Sequence, residues 1–140
     1  MTSAFENLCG PGKPLKAEPP DAAEFAGLLR TGKRRLDDAR QEVLSIESRF
    51  DVAYGAAHAF CLAALRWHGY RPSHRFIVFQ LLPNTLGLGP EVWRVLAKCH
   101  DMRNLMEYEG EVHVDDRILG DLLTATEAVM AKVIALPANA

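Results

Sequence analysis

The chain is short of cysteine, of long apolar runs, of net positive charge and of strand signals, and each shortage removes a class of protein. Its three cysteines are Cys9, Cys61 and Cys99. An odd number, at spacings that fit no zinc or disulfide framework, excludes a stapled scaffold, so neither a metal nor a cofactor is expected. Cys61 and Cys99 fall in apolar helical stretches, where a thiol serves as a small hydrophobe. A reducing compartment is the expectation. No apolar stretch approaches the roughly 20 residues of a membrane span, so no membrane partner is expected. The start, MTSAFENLCGPGKPLK, lacks a basic run followed by an apolar block, so no secretory signal is read and a cytoplasmic location is expected. Sixteen Lys and Arg stand against 18 Asp and Glu, for a net charge of -2 and a pI of about 6.2. That excludes a general basic field for nucleic acid, although totals hide local patches.

What is present is a core-forming composition. At 140 residues, 49% hydrophobic and 24% charged, the chain fits one domain. Residues 1–20 hold Gly10, Pro11, Gly12, Pro14, Pro19 and Pro20. Such a stretch cannot propagate a helix, and it predicts a flexible, disordered N-terminal arm ahead of a domain over 21–137. Beyond it the reading is all-α, a bundle of four or five helices. A first helix is predicted over 21–44, with an apolar stripe from Phe25 to Val43 and Gly32 as a weak point. A second is predicted over 49–68, with Ser48 and Asp51 as a capping box. Its stretch VAYGAAHAFCLAALRW is apolar almost all round, which implies a helix buried on several sides or shared with a partner chain. Gly69 is its stop. A short helix spans Phe76 to Leu82 and ends at Pro83. A fourth runs over 91–109 and stops at Gly110. A fifth runs over 116–136, capped by Asp115 and ended by Pro137.

The fourth helix carries the chemistry. At about 100° per residue, Trp93, Leu96, Cys99, Met102 and Met106 form an apolar stripe. His100, Arg103, Asn104 and Glu107 gather on another face. An imidazole, a guanidinium, an amide and a carboxylate within two turns can bind phosphate or position and protonate a leaving group. The same spacing also makes Arg103 and Glu107 an ordinary i, i+4 surface pair.

Two stretches resemble the HEPN-domain family. AYGAAHAFCLAALRWHGYRPSHRF is similar to that family's Tyr/Ala-rich second helix and Gly-containing turn. RNLMEY is similar to its Arg, polar residue, then His or Tyr signature near the end of the last core helix. The resemblance covers about residues 22–135. It implies an up-and-down helical bundle and a homodimer in which two Arg motifs share a cleft. It also implies binding of RNA or nucleotide phosphates, in many members as metal-independent endoribonucleases of toxin–antitoxin pairs. Other members are non-catalytic helical modules that partner a nucleotidyltransferase-like protein, in some pairs the antitoxin. Carried across, Arg103 would contact the scissile phosphate and Asn104 would orient it. Tyr108 stands where the ribonuclease type has histidine, and a phenol of pKa about 10 is a donor rather than a base at neutral pH. His100, Glu107 and Asp51 are the candidates for substrate contact beside them. Arg103 and Tyr108 lie about 140° apart on one helix, so two-fold symmetry would have to join them.

The remaining polar residues carry two readings each. Asp51 favours the positive end of its helix, or it fixes Arg103. His100 stands in for the missing motif histidine, or it is a hydrogen-bonded surface residue. His58 reads as a packed polar residue, and Tyr54 and Trp93 as core. Arg66, His68, Arg71, His74 and Arg75 form a basic cluster, which is either a solvated turn or an arrival surface for RNA.

Overall fold

The computed structural model describes residues 3–110 and 113–138. Four long helices form the bundle: α2 (Ala22–Ala39), α3 (Ile46–Trp67), α6 (Pro90–Glu109) and α7 (Asp116–Ile134). Smaller elements complete it: α1 (Ala4–Asn7), β1 (Leu15–Ala17), β2 (Tyr70–Pro72), α4 (Ile77–Gln80) and α5 (Leu82–Thr85). The architecture is the all-α bundle that the periodicity predicts. Among the described residues, no helix is long and apolar enough to cross a membrane.

The helix ends follow local chemistry. Asp21 accepts from the backbone N–H groups of Ala23 and Glu24 to open α2, and Asp115 accepts from Ile118 N–H to open α7. Gly69 and Gly110 adopt positive φ of 89° and 81° just past α3 and α6, the left-handed turn that glycine takes without a Cβ clash. Ser45, rather than the expected Ser48, caps α3, and Ser48 N–H donates to its hydroxyl. The short third helix is two helices, because Pro83 sits inside the first turn of α5, where its missing N–H costs nothing.

Helix α3 is the centre. It packs against α2 and α7 most extensively, and against α6. Phe50, Phe60 and Leu65 are fully buried, and an alanine series from Ala53 to Ala64 is buried beside them. Small side chains let neighbouring helices approach closely. Gly32 does not break α2. A Cβ there would lie 2.6 Å from the ring of Phe60, itself fully buried. Gly32→Ala therefore destabilises the protein by about 1–3 kcal/mol through overpacking, against the ~1 kcal/mol that helix propensity alone would add. A urea midpoint that falls checks this; a midpoint that rises removes the close α2–α3 crossing as the reason for the glycine.

The N-terminal segment is the main correction to the sequence reading. Residues 3–20 carry α1 and β1 and are anchored on the bundle through Phe5 and Leu15. Phe5 is buried and stacks against the rings of His68 and Tyr70, with centroids 4.9 and 5.1 Å away. Leu15 is buried in β1, which pairs antiparallel with β2. The glycines and prolines shape turns between these anchors. Part of the basic cluster is engaged by this segment, while His74 and Arg75 stay exposed. Arg66 is 2% exposed. It donates to the carbonyls of Glu18 and Pro19, both at 2.8 Å, and pairs with Glu24 and Glu18. Arg71 bridges the same two glutamates at 2.6 Å. Both arginines tie the segment down, Arg66 from within the protein and Arg71 from its surface, with its side chain 38% exposed.

Candidate functional site

On the outer side of α3, Asp51, Tyr54, Gly55 and His58 follow one another at helical spacing and break an otherwise apolar surface. Three other segments close over this stripe. α2 brings Arg35 and Asp38, the segment after β2 brings Arg75, and α6 brings Arg103. Together they enclose a cleft of about 410 Å³. Gly55 shapes it. Arg35 lies across the glycine, donating weakly to its carbonyl at 3.5 Å, and a Cβ there would meet the guanidinium at 2.9 Å.

Arg103 is held from three sides. Its Nε donates to Asp51 at 3.2 Å, its Nη1 donates to Glu107 at 2.7 Å, and its guanidinium carbon sits 5.3 Å from the centre of the Tyr54 ring. This selects the second reading of Asp51, which lies beyond the first turn of α3 and fixes the guanidinium. A polar chain runs beside it. Asn104 Nδ2 donates to His100 Nε2 at 3.1 Å. With that nitrogen accepting, the neutral ring carries its proton on Nδ1 and donates to the Tyr54 oxygen at 2.8 Å. Burial holds His100 below the usual histidine pKa and pushes the Tyr54 phenol up, so both are neutral at pH 7. His100 is thus the hydrogen-bonded residue of the two readings.

His58 is unusual. Its Nε2 is buried with no hydrogen-bond partner among the described residues. Burial first, then Arg75 and Arg35, push its pKa down to about 4. Neither Arg35 nor Arg75 is ion-paired among the described residues, whereas Arg103 is paired twice. The two buried thiols are held protonated, since burial pushes Cys61 far up and Cys99 up to about 12.

The structure therefore brings Arg103, Asn104, His100, Glu107 and Asp51 into one connected set. Tyr108 does not join them. It is 86% exposed and turned away around α6. Tyr54, Arg35, Arg75 and His58 are the residues that the sequence reading left out of the site. The polar stripe at i, i+3, i+4, i+7 on α3 was the available signal for Tyr54 and His58. Compared with protein-family models, curated proteins and solved structures, the chain matches none of them.

Proposed function

We propose that this protein acts on or binds the phosphates of RNA or a nucleotide, as a HEPN-like homodimer centred on Arg103. The observation that carries this reading is the seating of Arg103: pinned by two carboxylates, laid over an aromatic ring, and facing a cleft that holds two more guanidinium groups. A guanidinium fork is suited to phosphate oxygens. Asn104 orients the site through His100. Tyr108 serves the second protomer: it is exposed beside Leu105, itself 44% exposed, on the face of α6 turned away from the core, where a second copy can lie. On this reading the protein is an endoribonuclease of the toxin–antitoxin type that needs no metal, with the phenol as a proton donor.

Purified protein is expected to run as a dimer and to bind or cleave single-stranded RNA in the presence of EDTA. Arg103→Ala lowers that activity by about 10²–10³-fold, the loss typical of one missing transition-state donor, with an unchanged circular dichroism spectrum. Equal activity of mutant and wild type ends the proposal. The second reading is a non-catalytic module that partners a nucleotidyltransferase-like protein. Tyr108 in place of histidine favours it. It predicts RNA left untouched and a stoichiometric complex with such a partner.

A further inference from the structure

Three observations in the cleft exceed what the Arg103 motif needs. Tyr54 is the first. Its oxygen already accepts from His100 Nδ1 at 2.8 Å, and Arg75 sits beside the same oxygen, favouring its charged form. An oxygen that accepts from one side and faces a guanidinium on another has its own proton left to donate, and Tyr54 lines the cleft. The second is the pair Arg35 and Arg75, without ion pairs among the described residues, in a cleft whose lining holds three arginines against Asp38 and Asp51. The third is His58 Nε2, buried against the same wall with no hydrogen-bond partner among the described residues.

We infer that one protomer alone seats a phosphate group, with the Tyr54 hydroxyl and the Arg35 and Arg75 guanidinium groups as its donors and His58 beside it. This rests on the reading of the cleft as phosphate-directed and adds which groups hold the anion. Arg103 is anchored to protein carboxylates and offers its remaining N–H groups. Arg35 and Arg75 make no ion pair among the described residues, and the three arginines of the lining outnumber its two carboxylates, Asp38 and Asp51. Tyr54 supplies a neutral donor of fixed direction, because its ring is 2% exposed and packed edge-on to Phe79 at 5.7 Å. The phenol that touches the ligand is thus Tyr54, on the central helix.

His58 reports occupancy. It is faced by Arg35 and Asp38 from α2, by Asp51 and Tyr54 from its own helix, by His74 and Arg75 after β2, and by His100 and Arg103 from α6. Burial and the positive groups hold its imidazolium form down. A bound anion opposes those charges, so its titration midpoint rises.

The test uses the full chain, with inorganic phosphate, adenosine 5′-monophosphate and a short single-stranded RNA as probes, read by calorimetry and by histidine NMR. Tyr54→Phe and Arg75→Gln each weaken binding by about 10- to 100-fold, as expected for one hydrogen bond to a charged group. Arg94→Gln, which removes a charge outside the cleft, leaves it unchanged. The His58 midpoint rises on saturation. Binding of inorganic phosphate assigns the seat to a free or terminal phosphate; binding of RNA alone assigns it to a phosphodiester. If Arg103→Ala loses RNA while Tyr54→Phe and Arg75→Gln bind like wild type, the inference fails and the proposed function stands. If wild type binds no probe, both fail. Should Tyr54→Phe unfold, the exposed Arg75→Gln still decides.

Discussion

Arg66→Met is expected to cost about 3 kcal/mol of stability and to lower the thermal midpoint by roughly 10 °C. The reasoning starts from burial. Arg66 is 2% exposed and its donors meet Glu24, the Glu18 carboxylate, and the carbonyls of Glu18, Pro19 and, at 3.4 Å, Tyr70. Methionine fills much of the volume but donates nothing, so several acceptors lose their partner at once. The figure sits at the low end for a broken buried pair because Glu18 and Glu24 are 34% and 32% exposed in their side chains, and water reaches them. Acid probes the same clamp. The hydrogen bond from Arg71 is the first cause that holds both carboxyls below the ordinary 4.5. A lowered folded pKa contributes stability above the ordinary value and loses it as pH falls through the folded value. The clamp therefore weakens below pH 4.5. Limited proteolysis distinguishes its role: the variant should be cut within residues 8–20 before the bundle opens. Equal resistance of variant and wild type would show that Phe5 and Leu15 hold the segment alone.

That clamp also marks where sequence reading stops. The long helices were legible because their caps are local: Asp21 and Asp115 accept from N–H groups within three residues, and Gly69 and Gly110 turn the chain just beyond α3 and α6. The N-terminal segment was not, because its anchors are single residues without periodicity. Phe5 meets rings at 68 and 70, and Leu15 pairs with Pro72. Nothing within 50 residues of sequence announces those contacts. Arg66 was a usable signal, since an arginine at the buried end of an apolar helix needs internal partners. The site divides the same way. One face of α6 fixed Arg103, Asn104, His100 and Glu107 as neighbours, because the turn of a single helix is enough to place them. Asp51 and Tyr54 joined them only through the way α3 rotates against α6, and Arg35 only through the way α2 crosses α3 at Gly55. Rotation between helices is set by packing, and here the alanine and glycine positions set it.

Arg103→Lys should behave nearly like Arg103→Ala in ligand binding, losing about 10²-fold or more, although it keeps the charge. The geometry gives the reason. Nε reaches Asp51 and Nη1 reaches Glu107, 52 residues away and four residues away in sequence, while the guanidinium plane covers Tyr54. A planar fork meets both carboxylates and still presents N–H groups to the cleft. An ammonium is one compact centre, strongly hydrated, which pairs with one carboxylate or turns to the ligand. Stability should change little, by less than about 1 kcal/mol. Asp51 and Glu107 are 55% and 54% exposed in their side chains, so water satisfies them when the fork is gone. Binding and stability therefore separate at Arg103, whereas at Arg66 only stability is at stake. A lysine variant within two- or three-fold of wild-type affinity would reduce Arg103 to a point charge. The two carboxylates would then be surface pairs, with no part in aiming a donor at phosphate.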